Sequence, residues 1–163
     1  MKYLFGIVST LLVLFSVAGR CDPSKVVWSQ HPEVATFSLS LSDNALRVDV
    51  KNATNSRKRL VIVRTDTYVQ PYYINEQGAL VAIGVAPHNN GFQNEEVEGP
   101  NAVDLPANGK FSSTIKLSPE ELAQIEAHGV VCKICVYDPA TDRRVYVQSP
   151  AEKLTPTSAP ASP

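Results

Sequence analysis

This chain has no positive charge to spare. Its 163 residues carry 15 Lys and Arg against 16 Asp and Glu. A protein that holds nucleic acid needs a concentrated positive field. The only basic run, Ser56–Arg59, lies between two strand-like segments and reads as a solvated turn. The sequence therefore predicts no nucleic-acid partner.

Metal and catalytic signals are equally scarce. The three histidines, His31, His88 and His128, are far apart, and no H-E-x-x-H, G-x-S-x-G or glycine-rich phosphate loop occurs. The acidic stretch Asn94–Glu98, with Asn89 and Asn90, offers the oxygen ligands that calcium takes. It lacks the EF-hand order and reads as a solvated loop. We expect no metal, no cofactor and no catalytic residue, so the chain reads as a non-enzyme.

Long apolar runs are absent except at the start. Tyr3 to Val17 is apolar but for four small residues, follows Lys2, and leads to Ala18 and Gly19. That is the layout of a secretory signal peptide over residues 1–20, and it is short for a membrane span. Cys21 stands where a bacterial lipoprotein carries its acylated cysteine. The local "AGRC" departs from the Leu-Ala-Gly-Cys pattern at Arg20. Cys21 is thus a lipid candidate and the one expected link to a membrane. The expected location is periplasmic or secreted.

Only three cysteines are present. Cys132 and Cys135 form a C-x-x-C in "VVCKICVYD". Redox pairs of this spacing open a helix in a βαβ context, and this one lies among β-branched residues. Structural zinc needs four ligands, and no second pair exists. In a strand, positions i and i+3 are about 10 Å apart at ~3.3 Å per residue, beyond the roughly 7 Å a disulfide allows. The pattern puts Cys132 inward with Val130, Ile134 and Val136. Cys135 falls on the other face with Lys133 and Tyr137. A bridge from Cys21 to either thiol stays open in an oxidising compartment.

What is present is short strands punctuated by turns. "FSLSL" (37–41) and "LRVDV" (46–50) alternate as a hairpin with one wet face. "LVIV" (60–63) is apolar on both faces and reads as a central strand. "TYVQPYYI" (67–74) contains Pro71, which predicts an edge or a bend. "ALVAIGVA" (79–86) reads as another strand, and residues 87–102 as a long functional or disordered loop. A strand over 111–117 follows the Asn108-Gly109 turn. "SPEELAQIEAHG" carries an N-cap serine, Pro at the first turn, a capping-box Glu121 and a closing Gly129, so it is the one helix expected. A last hairpin spans 130–148. The sum predicts an all-β chain, an immunoglobulin-like antiparallel β-sandwich with one short helix. One domain would cover residues 21–149, with a flexible Pro/Ser/Ala-rich tail over 150–163.

Aromatics are few, and their placement carries the functional expectation. Tyr68, Tyr72 and Tyr73 flank Pro71, and Phe92 sits in the acidic loop. Aromatics on edges and loops are enriched at recognition surfaces. These four are the binding candidates, while Trp28 reads as a core or sheet-cover residue.

Val50, Asn52, Gly78, Val81, Gly84, Leu105, Ala107, Gly109, Leu117 and Ser118 recur in an order that resembles the immunoglobulin-like domain preceding the catalytic domain of deuterolysin-type metallopeptidases. The likeness covers residues 37–118. It implies an accessory or inhibitor-like domain without hydrolase activity. The expected function is a non-enzymatic, exported binding module of the bacterial cell envelope acting on a protein partner. The alternative is a structural envelope component anchored through Cys21.

Overall fold

The computed structural model describes residues 27–42, 44–63, 67–84 and 102–156. In chain order these hold β1 (Ala35–Ser42), β2 (Ala45–Asn52), β3 (Lys58–Val61), β4 (Gln70–Ile74), β5 (Leu80–Ala82), β6 (Ala102–Leu105) and β7 (Lys110–Lys116). The helix α1 (Pro119–His128), β8 (Val130–Asp138) and β9 (Arg143–Gln148) follow. The described residues are mostly strand with one short helix, and their sheets are antiparallel.

β1 and β2 form the hairpin that their alternation requires, paired without interruption from Ala35↔Asn52 to Ser42↔Ala45. The other edge of β2 takes β7, giving a three-stranded sheet. Leu46, Val48 and Val50 are fully buried on its inner face, while Thr36, Ser38 and Ser40 face water.

The second sheet is built on β8. β9 pairs with Lys133–Asp138 along one edge. β4 pairs with Val130–Lys133 and β3 with Cys135–Tyr137. Because β9 overlaps both registers, β3 and β4 must share the opposite edge. They act as one strand interrupted by residues 62–69, an excursion pinched where the Val63 N–H donates to the Thr67 carbonyl at 2.9 Å. β6 then flanks β3, and β5 flanks β4. One hydrophobic cluster joins the inner faces of both sheets to Ile125 of the helix.

Two expectations are corrected here. β4 is not an edge, since it lies between β5 and β8. Pro71 is tolerated because its missing donor is replaced. The Ile83 N–H donates to the Pro71 carbonyl at 3.0 Å, but Pro71 has no N–H to return. The buried Gln70 side chain supplies it, with Nε2 donating to the Ile83 carbonyl at 3.2 Å and to the Pro71 carbonyl at 2.8 Å. The ordered chain also runs past residue 149. Val130 and Glu152 exchange backbone bonds of 2.9 and 3.1 Å, and Leu154 is buried in the core cluster. Residues 157–163 lie outside the described residues.

Shorter changes have local causes. The strand expected over 79–86 covers only Leu80–Ala82 before Gly84 turns at φ 82°. The helix matches its signals: the Ser118 hydroxyl accepts from the Glu121 N–H, and Glu121 accepts from the Ser118 N–H at 2.8 Å. Burial opposes ionisation of Glu121, yet the N–H groups of Ser118 and Gly84 hold its pKa below the usual range.

One buried ion pair ties β3 to the end of β8. Lys58 Nζ lies 2.7 Å from Asp138 Oδ2, with side chains only 10% and 20% exposed. The Lys58 hydrogen bond is the main cause holding Asp138 below its ordinary pKa. A carboxylate so depressed stabilises the fold fully above the ordinary Asp range near pH 4. That contribution is lost as pH falls through the lower folded value. Asp138→Asn should flatten this acid limb and cost about 1 kcal/mol at neutral pH, because solvent at Asp138 screens part of the pair. Urea unfolding at pH 3 and pH 7 checks both effects.

Candidate functional site

Strand alternation sends Val131, Lys133, Cys135 and Tyr137 of β8 to the face away from the core. Direct partners on neighbouring strands share that face. Tyr72 lies opposite Val131, Tyr146 opposite Cys135, and Arg59 and Arg144 flank Tyr137. Trp28 joins them from the N-terminal segment, which is pinned along β9. There the Gln148 N–H donates to the Ser29 carbonyl at 2.8 Å, and the Ser29 N–H to the Tyr146 carbonyl at 3.4 Å.

The centre of this face is a cation between rings. Lys133 Nζ sits 4.6 Å from the Tyr72 ring centroid and 5.3 Å from that of Trp28. Trp28 in turn meets Tyr146 edge-to-face, with centroids 5.3 Å apart. Such contacts suit a half-buried ammonium, because the ring faces carry negative charge. Burial lowers the pKa of Lys133. All four side chains are half-buried.

The end of the face near β6 is charged. Asp104 accepts hydrogen bonds from both Arg57 and Arg59, and these hold its carboxyl below the usual range, the Arg57 bond foremost.

The three tyrosines singled out by sequence do not form one surface. Tyr72 and Tyr73 are neighbours in a strand and so point to opposite faces. Tyr73 packs against the core. Tyr68 also packs there, edge-to-face on Phe111 of the other sheet at 5.6 Å. Only Tyr72 reaches the outer face. Phe92, Cys21 and the acidic Asn94–Glu98 stretch lie outside the described residues. Tyr146 and Lys133 lie on this face as well, as the outward alternation of "RRVYVQ" and "CKIC" marks.

No family model matches this chain, and no curated protein matches its sequence.

The two described cysteines are unbridged and buried on opposite faces of β8. Burial, with a smaller push from Glu152, raises the Cys132 thiol to about 12. Burial raises Cys135 to about 11, partly offset by Arg144. Both are neutral thiols at pH 7, poor nucleophiles and poor metal ligands. We expect neither to react with a thiol reagent in the native chain at pH 8, and both to react in urea. Fast native labelling of either one contradicts these positions.

A hydrogen-bonded chain runs through the segment before β1. Ser29 Oγ meets His31 Nε2 at 2.8 Å, and His31 Nδ1 meets Glu33 Oε1 at 2.8 Å. The order resembles a nucleophilic triad. Its setting differs, because Glu33 is 66% exposed and the Ser29 backbone groups are used by β9. The chain fixes the turn whose His31 carbonyl accepts from the Val34 and Ala35 N–H groups. That turn connects the Trp28 segment to β1.

Proposed function

We propose that this chain is an exported, non-enzymatic binding module of the bacterial cell envelope, and that it meets a protein partner through the outer face of β8. One observation carries the reading. Lys133 is held between Tyr72 and Trp28, with Tyr146 alongside. Trp and Tyr rings mounted on paired strands, with Lys133 holding two of them in place, present rigid, amphipathic area at little entropic cost, and Trp and Tyr are the residues enriched among interface anchors. Strand addition along β4 has no free edge to use, because β4 has a strand on each side. Peptidase inhibition is one form such binding takes, in keeping with the resemblance over residues 37–118.

In this reading the two sheets are the halves of an immunoglobulin-like sandwich. Support comes from the single cluster that draws on the inner faces of both. Export rests on the leader over residues 1–20. That leader also supports the second reading, a structural component anchored through Cys21. The intact mass of the exported chain separates them: a diacylglyceryl-sized increase on a chain beginning at Cys21 favours the anchor.

The binding claim is tested with a photo-crosslinking residue placed at Tyr72 and, as a control, at exposed Ser112 on the other sheet. Irradiation of the envelope should give a discrete adduct from position 72 and none from 112. Equal adducts from both positions, or none from 72, contradict the assignment.

A further inference from the structure

Sheet edges show which surfaces a protein shields from other chains. An edge strand leaves every second N–H and C=O unpaired, a template for another strand. Most edges of this fold are guarded. β5 has three residues and β6 four, the latter carrying Asp104 under its two arginines. β7 begins with Lys110 and ends with Lys116. The outer edge of β9 receives Ser29.

β1 has none of these devices. It runs eight residues, ATFSLSLS, without charge or proline, and its register against β2 has no bulge. Among the described residues, its free edge is met only at Ala35, whose N–H donates to the His31 carbonyl at 3.0 Å. The residues flanking a two-residue hairpin loop form a hydrogen-bonded pair, so Ser42 bonds inward to Ala45. By alternation Ser40, Ser38 and Thr36 also bond inward. Phe37, Leu39 and Leu41 are left with main-chain groups aimed outward.

We propose that β1 pairs antiparallel with β1 of a second copy of this chain, across a two-fold axis at Leu39, joining two three-stranded sheets into one of six strands. This register sets Leu39 opposite Leu39, Phe37 opposite Leu41, Ser38 opposite Ser40 and Thr36 opposite Ser42. Every outward-facing main-chain group between Phe37 and Leu41 then gains a partner. Apolar residues meet apolar ones on the core side, hydroxyls meet hydroxyls on the wet side, and no charge faces a like charge. An isologous contact needs one self-complementary patch, and the strand on the page that matches β1 in alternation, length and neutrality is β1 itself. The inference is independent of the outer face of β8, which belongs to the other sheet.

The test is sedimentation equilibrium of the exported protein over a concentration series. Wild type should show a monomer–dimer equilibrium with Kd in the micromolar range. Ser38→Lys with Ser40→Lys places like charges across the axis on exposed positions and should weaken dimerisation at least about tenfold. Ser38→Lys with Ser40→Glu, and the reverse Ser38→Glu with Ser40→Lys, set opposite charges across the axis and should both recover the dimer. The two swaps differ inside one copy, since Ser38 faces Asp49 and Ser40 faces Arg47. Recovery by both therefore reports the contact between copies. A wild type that is monomeric at every concentration overturns the proposal. So does a double-lysine variant that dimerises like wild type, or recovery by only one swap.

Discussion

Asn52→Ala should lower the unfolding free energy by about 3 kcal/mol, because it removes every hydrogen bond of a buried side chain at once. Asn52 is 1% exposed at the end of β2. The two hydrogens of its Nδ2 are shared among the carbonyls of Ser56, Leu105 and Pro106 at 2.8, 3.1 and 2.9 Å. Its Oδ1 accepts from the Thr54 N–H and hydroxyl at 2.9 and 2.8 Å. One side chain thus shapes the turn after β2 and fastens it to the connection between β6 and β7. Its own N–H reaches the Gly109 carbonyl at 2.9 Å. Alanine removes both ends of the amide; the Ser56 and Pro106 carbonyls keep the Thr54 hydroxyl and the Gly109 N–H as donors, but the link from the turn to the buried Leu105 carbonyl is lost. Aspartate should not rescue, because it has no donor for the three carbonyls. Chemical denaturation of both variants reads this directly. A loss below about 1 kcal/mol, ordinary for one net hydrogen bond, contradicts the role of Asn52 as a joint.

Gly129→Ala is the second large effect, also about 3 kcal/mol. Gly129 closes the helix at φ 102° and ψ 177°, a region open almost only to glycine and costing 1–3 kcal/mol otherwise. A Cβ there would sit 3.0 Å from the Glu152 carbonyl oxygen. The clash falls on the segment whose backbone pairs with Val130, so the substitution acts on the helix end and the terminal strap together. Its carbonyl also accepts from the Ile74 N–H at 3.0 Å. Removing residues 150–163 should relieve the clash but not the backbone strain. The alanine penalty should therefore shrink in the truncated chain without vanishing. A penalty unchanged by truncation would show that the strap does not press on Gly129.

Period-2 patterning made much of this legible. The β1–β2 hairpin, the inward set of β8 and the capped helix each follow from local signals that tertiary contacts reinforce. Misreadings arose where a distant group altered a local rule. Proline signals an edge unless another donor serves the facing carbonyl, and Gln70 is that donor. A Pro-rich terminus signals disorder unless a backbone groove accepts it, and Val130 with the space at Gly129 provides one. Proximity along the chain groups the tyrosines, but alternation separates Tyr72 from Tyr73. Alternation marks Lys133 as outward, but its two rings arrive from positions 28 and 72, which no local pattern links. The residues behind the family resemblance prove structural: Asn52 is the joint, Gly78 and Gly84 hold φ of 77° and 82°, and Ser118 caps the helix.

The most direct test of a core face and a contact face back to back on β4 is a matched pair, Tyr72→Ala and Tyr73→Ala. For each, the melting temperature and the yield of the position-specific crosslinked partner are measured, with the photo-reactive residue placed at Tyr146. Tyr73→Ala should cost about 2 kcal/mol, roughly 5–10 °C in a domain of this size, through lost core packing. It should leave the adduct intact below the transition. Tyr72→Ala should cost about 1 kcal/mol, roughly half the Tyr73→Ala loss, through the lost ring contact with Lys133, and should abolish the adduct. A destabilised Tyr72→Ala protein that still captures its partner, or a stable Tyr73→Ala protein that does not, would reverse the two faces and contradict the account.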